Sequence, residues 1–334
     1  MSEKRMNDYN YVFLTSALRA KAPRMLTKEK MDRMLEAQSF DDAAKMLTDC
    51  GYTDMSGMDA SRIEKALSAH RAEIFTEIRS FVPEPEILDV FSLKYDYHNA
   101  KVLIKAESAD IDGKYLLSDS GTVPSETFSD AYYSGNYSIL PGKLSKALAE
   151  ASSVIKRTEN PQLADFVLDR AYFEELAERS KKLYTPFLTD YVKLAVDGAN
   201  LRAAVRTLRI GRDADFLQNA LIKGGNIRSD ELAQAAYTDQ GFVPLYESSA
   251  YRDAALLGAE AVKGGKLTEF EKECDNVLTR FFGTAGDMTF GAAPVIAFLA
   301  ALENEITAAR MILTGKLSGV DPSLIRERLR DIIA

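Results

Sequence analysis

The sequence has little with which to hold a metal or staple a small fold. Its only cysteines are Cys50 and Cys274, and its only histidines are His70 and His98. The cysteines are far apart and lie in helical patterns, so neither a disulfide framework nor a zinc site is indicated. No His-Glu-x-x-His pair is present to grip a metal from one helix face. His70 continues an apolar helical face and reads as a hydrogen-bonded packing residue. Positive charge is also in short supply. With 42 Lys and Arg against 50 Asp and Glu, the net charge is −8, which argues against nonspecific binding to a phosphate backbone.

Other absences narrow the function further. The first nine residues lack the apolar core of a signal peptide. The longest uncharged apolar stretch, residues 292–302, is too short to span a bilayer. Any work at a membrane is therefore expected from the cytoplasmic side and through other proteins. A phosphate-cradling loop needs an upstream Gly and a hydroxyl after Gly-Lys. Gly265-Lys266 is followed by Leu267, and neither Gly142-Lys143 nor Gly315-Lys316 meets the pattern. No cofactor is expected.

What is present is helix. Helical periodicity dominates and no convincing strand alternation occurs. Ile63, Leu67, Ile74 and Ile78 mark one helix face that stops at Val82-Pro83-Glu84-Pro85, where the prolines bias the chain to extended backbone. A long helix follows over residues 87–106, then a turn at Asp110-Ile111-Asp112-Gly113 and a segment through Tyr137 rich in Ser, Gly and Tyr. Asn160-Pro161 precedes a helical stretch over 163–208 that Pro186 kinks or divides. Residues 281–291, with three glycines, read as the most loop-like late segment.

Two elements recur at a period of about one hundred residues. The first is an acid followed five residues later by a base: Asp96 with Lys101, Asp197 with Arg202, Glu305 with Arg310. The third step is Asn99 and Asn200 in two copies and Ala308 in the other. Five residues turn a helix by about 140°, so acid and base cannot pair within the helix and each faces a different neighbour. The second element is an apolar-led helix start at Leu26, Val123, Ile227 and Val320, each with a second apolar residue five positions on. Thr27 and Asp321 fit as N-caps with Leu26/Met31 and Val320/Ile325 as hydrophobic staples, and Pro322 suits the first helical position. In the middle copies Ser125 and Ser229 are the better caps.

The expected architecture is all-α, with three similar helical modules over residues 1–122, 123–226 and 227–334, and residues 1–25 free to pack with the C-terminal piece. Residues 9–21 read as a helix whose Arg19 stands where later copies place Lys101 or Arg202. The incomplete pieces at both ends suggest a quasi-threefold set closed by the termini. The polar set Asp96, Asn99, Lys101, Asp197, Asn200, Arg202, Glu305 and Arg310 has two readings, an interhelix network that fixes register and a surface that grips a partner. Tyr132, Tyr133 and Tyr137 likewise suit an interface core or packing under a loop. No catalytic or metal-binding residue is nominated.

A further set of motifs runs in order along nearly the whole chain: Tyr9-Asn10-Tyr11 leading to Arg19, Leu26-Thr27-Lys28-Glu29, Ser39-Phe40-Asp41-Asp42-Ala43, Tyr95-Asp96 with Asn99 and Lys101, Leu168-Asp169-Arg170-Ala171-Tyr172-Phe173, Asp197 with Asn200 and Arg202, and Glu303 to Arg310 followed by Gly315-Lys316. In that order the chain resembles the C subunit of bacterial and archaeal V/A-type rotary ATPases, a relative of the d subunit of the eukaryotic vacuolar enzyme. The resemblance implies a funnel of three helical modules on the cytoplasmic face of the membrane rotor ring. It also implies partners: the D and F shaft subunits and the proteolipid ring, with membrane contact only through that ring. Such a protein catalyses nothing and transmits torque between ATP turnover and ion movement. Ala308 departs from the Asn of the other copies, so any role of Asn99 and Asn200 need not extend there. Two alternatives stand beside this reading. One is a generic helical scaffold, whose usual repeats are much shorter than one hundred residues; the other is an all-α enzyme with a carboxylate-rich cleft.

Overall fold

The computed structural model describes residues 8–333; the expectations that fall on residues 1–7 and 334 lie outside the described residues. Among the described residues the chain forms sixteen α-helices and six short 3-10 turns, with no strand. The breaks follow the local chemistry of the sequence. Helix Ala60–Arg79, capped by Asp59 accepting from the Arg62 N–H, ends before Pro83 and Pro85, and Glu86–Ser108 begins directly after them. Asn160 caps Pro161–Lys182. Pro186 divides the next stretch outright: Tyr184 turns left-handed at φ +48° and Pro186–Arg209 starts afresh with proline in its first turn.

The apolar-led helix starts are built in two ways. Thr27 accepts from the Lys30 N–H and Asp321 from the Ser323 N–H, so both are true caps. Leu26 and Met31 are both buried, whereas Val320 is exposed and only Ile325 is buried, so the staple closes in the first copy alone. Ser125 and Ser229 are not caps. Each is the first helical residue, preceded by Pro124 and Arg228 that make no side-chain cap bond. At the Ser125 helix the Asp119 carboxylate meets the first free amide instead, accepting from the Ser125 N–H at 3.0 Å.

Two other segments are more ordered than their composition suggests. Residues 110–137 contain helix Ser125–Ser134, and Leu267–Gly283 runs through Phe281 and Phe282 before a 3-10 turn, Thr284–Asp287. Phe281 holds that end by stacking on Phe187, and Phe282 lies tilted against Tyr191. Arg19 donates to the Met288 carbonyl at 2.6 Å rather than to a carboxylate. The same corner carries an exposed aromatic strip, with Tyr9 stacked on Phe290 and Phe13 against Phe81.

Helix Ala292–Leu317 is the spine. By length and composition alone it could cross a bilayer, yet 83% of its most apolar window is buried inside the protein. Helices Val12–Lys21, Lys28–Glu36, Phe40–Met46 and Ala60–Arg79, from the beginning of the chain, all pack on it, as do Glu86–Ser108, Pro186–Arg209 and Leu267–Gly283. Glu86–Ser108 lies in turn against Gly142–Thr158 and Pro161–Lys182, and Pro186–Arg209 against Arg252–Val262 and Leu267–Gly283. These three long helices, Glu86–Ser108, Pro186–Arg209 and Ala292–Leu317, carry the three acid/base signatures.

Candidate functional site

Each signature acid is buried and closes on the backbone of an apolar-led helix start. Asp96 Oδ1 accepts from the N–H groups of Thr122 and Val123 at 2.9 and 3.1 Å, and its Oδ2 from the Thr122 hydroxyl at 2.6 Å. Asp197 accepts from the N–H of Ile227 at 3.0 Å and from the N–H and side-chain amide of Asn226 at 3.1 and 2.8 Å. Glu305 accepts from the Leu26 N–H at 2.6 Å and the Tyr52 hydroxyl at 2.7 Å. The two repeated elements of the sequence are thus the two halves of one clamp, and the third long helix clamps the helix start at Leu26. Burial raises the pKa of all three acids, against the pull of these hydrogen bonds.

The third copy differs in length, and the difference compensates itself. In the first two copies a glycine, Gly121 or Gly225, lets the short Asp side chain come close; a Cβ there would sit 2.3 Å from Asp96 Oδ1 or 2.1 Å from Asp197 Oδ1. In the third the corresponding residue is Arg24, and the longer Glu305 reaches Leu26 from farther back. The Asn positions follow the same logic. Asn99 holds both the N–H and the C=O of Ser118, and Asn200 both groups of Ile222, at 2.8–2.9 Å. Ala308 has no such loop to hold, because the segment before Leu26 is a 3-10 turn, Ala22–Arg24, stacked on a helix.

The signature bases point elsewhere. Lys101 pairs with Asp169 at 2.5 Å on Pro161–Lys182, Arg202 with Asp275 on Leu267–Gly283, and Arg310 with Glu64 through two bonds of 2.6 and 2.9 Å on Ala60–Arg79. All eight nominated residues therefore engage the protein itself.

Between the long helices lies a second polar centre. Arg71 and Glu303 form an ion pair at 2.6 Å with side chains 4% and 7% exposed. The Glu303 Oε2 accepts from Lys94 at 2.7 Å and the Tyr95 hydroxyl at 2.6 Å. The Arg71 guanidinium also donates to the Ser120 carbonyl and the Ser92 hydroxyl and lies over the Phe75 ring at 3.8 Å. Burial alone would raise the Glu303 pKa, but the charges of Lys94 and Arg71 and the bonds from Lys94 and Tyr95 bring it down to about 2. Beside it a cavity of about 270 Å³ opens between Glu86–Ser108, Pro161–Lys182, Pro186–Arg209, Leu267–Gly283 and Ala292–Leu317.

A family model for the ATP synthase (C/AC39) subunit matches residues 14–328. The chain belongs to that family. It is similar to the C subunit of the V-type sodium ATPase of Enterococcus hirae, 25% identical over 96% of this chain and 98% of the relative. The C subunit of the V-type ATP synthase of Thermus thermophilus is 23% identical over 96% of this chain and 98% of its own length. That of the A-type ATP synthase of Methanocaldococcus jannaschii is 23% identical over 96% of this chain and 86% of its own.

The three signature carboxylates of this C/AC39 family member, Asp96, Asp197 and Glu305, are each taken up by backbone amides together with a hydroxyl or side-chain amide. Among the described residues no group of three His, Cys, Asp or Glu side chains is placed to hold a metal. His70 stacks on Tyr52 with ring centres 3.8 Å apart, and His98 is exposed on its helix. Cys274 is buried, and burial pushes its thiol up to about 12. The Arg71–Glu303–Lys94 centre is what sequence reasoning misses. One signal is available, since Arg71 sits four residues after Leu67 and four before Phe75, on a face whose other members are apolar.

Proposed function

We propose that this chain is a noncatalytic central-stalk component of a V/A-type ATPase. In this reading it lies on the cytoplasmic face of the membrane, receives the D and F shaft subunits and sits on the proteolipid rotor ring, so that ATP turnover and ion transport are mechanically linked. The recurring clamp is the observation that carries the reading. With modules divided at Val123 and Ile227, each signature helix ends one module, and its acid and its base both bond to the next. Asp96 and Lys101 cross from the first to the second, Asp197 and Arg202 from the second to the third, and Glu305 and Arg310 from the third back to the first. A quasi-threefold funnel locked in this cyclic way would resist twisting at every seam, as torque transmission requires. The exposed aromatic strip of Tyr9, Phe13, Phe81 and Phe290 adds a surface of the kind that assemblies cover.

Co-expression with the shaft and ring proteins tests the proposal. Tagged chain is expected to retain D and F and the proteolipid through purification, with crosslinks to both, and to bind no ATP by calorimetry. Recovery of the chain alone, or stoichiometric ATP binding, would sink it.

A further inference from the structure

We infer that the cavity lined by Lys94, Tyr172, Tyr191 and Arg330 is a receptor for a carboxylate, and that the guest is an acidic side chain of the shaft. The second half rests on the function proposed above. The first half rests on an imbalance between donors and acceptors on the cavity wall. Glu303 has both oxygens engaged, by Arg71 on one side and Lys94 and Tyr95 on the other. Asp275 is likewise paired on both oxygens, with Arg202 on one and Arg330 on the other. The Lys94 side chain is 43% exposed, and its ammonium makes one hydrogen bond, to Glu303, which leaves two N–H donors to spare. Tyr172 and Tyr191 line the same space, and neither hydroxyl has a hydrogen-bond partner among the described residues.

Charge points the same way. Arg71 and Lys94 face the single carboxylate of Glu303, and Arg202 and Arg330 face the single carboxylate of Asp275. Each cluster therefore carries one excess positive charge, in a chain whose net charge is −8. Burial raises the pKa of both tyrosines, so they remain neutral donors. Donors lining one partly desolvated cavity favour an oxyanion there, and charge-assisted bonds to it are the strong ones. The remaining wall selects among oxyanions. Phe91, Phe282 and Met311 border the cavity. They offer a bare hydrated ion nothing, whereas the methylene stem of an Asp or Glu side chain covers them.

The test is a variant in which Tyr172→Phe and Tyr191→Phe are combined. It removes two oxygens that have no protein partner, so its melting temperature should equal or exceed that of the wild type. The purified D and F shaft proteins, titrated by calorimetry, should bind it roughly ten-fold or more weakly. Lys94→Met should weaken binding further and flatten its salt dependence. Equal affinity of wild type and the double Phe variant overturns the inference and leaves shaft binding standing. If the wild type does not bind the shaft at all, the proposed function falls, and sodium citrate then decides the cavity. A citrate-induced rise in melting temperature that both variants lose supports an oxyanion receptor with a free guest; no rise, or the general salting rise that both variants keep, overturns it.

Discussion

Replacing Glu303 by leucine is expected to destabilise the protein by about 3–5 kcal/mol, the usual loss when one partner of a buried pair is removed. The cost arises at Arg71, whose side chain is only 4% exposed and would be left a buried cation with three neutral acceptors, the Ser120 and Phe91 carbonyls and the Ser92 hydroxyl, and the Phe75 and Tyr95 rings. Replacing both partners, Arg71→Met with Glu303→Leu, should recover most of the loss, because no uncompensated charge remains. Glu303→Gln gives the same centre a pH signature. With the carboxyl brought from its ordinary 4.5 to about 2, its ionised form stabilises the fold above pH 4.5, and that stability is lost as the pH falls toward 2. The difference in unfolding free energy between wild type and Glu303→Gln should therefore be largest near neutrality, about 3 kcal/mol, and shrink across that acid window. The raised acids Asp96, Asp197 and Glu305 are common to both proteins and cancel in the difference. Urea melts at a series of pH values measure it, and a difference independent of pH would mean that Glu303 is not held ionised by its neighbours.

The helical class is legible in the periodicity of the sequence, and the recurring acid and base are legible because a five-residue step on a helix forces them apart. What the step cannot reveal is the partner. That Asp96 belongs with Val123 is a matter of one loop and is close to hand, but the bond from Leu26 to Glu305 spans 279 residues and the pair Arg71–Glu303 spans 232. Sequence separation of that size carries no pairing information in a single chain. Ser125 and Ser229 mislead for a different reason: residue type names a candidate cap, but the acceptors already present decide, and Asp119 occupies the amide that begins the Ser125 helix. Gly121 and Gly225 are the overlooked signal. Both stand two residues before the leading apolar residue, and only in the copies whose acid is the shorter Asp.

That glycine pattern sets the second large effect. Gly225→Ala is expected to cost roughly 2–4 kcal/mol, because the new Cβ would lie 2.1 Å from Asp197 Oδ1 and 3.1 Å from its Cγ, so either the carboxylate leaves its three donors unsatisfied or the packing strains. Gly121→Ala should behave alike, with its Cβ 2.3 Å from Asp96 Oδ1. Neither glycine has a left-handed φ, so the cost is contact and not backbone conformation. Gly142→Ala is the control: it too lacks a positive φ, and its Cβ would meet nothing within 4 Å. It should be neutral or slightly stabilising through the unfolded chain. A double-mutant cycle isolates the contact. In an Asp197→Ala background only the 3.3 Å approach to Val196 Cγ1 is left, and Gly225→Ala should cost much less, so the two losses must fall well short of additivity. If Gly225→Ala instead proves as mild as Gly142→Ala in the otherwise unaltered protein, Asp197 has room to move. The clamp then does not fix the spacing between the long helix and the helix start at Ile227, and the stiffness that the proposed coupling role requires must come from packing alone.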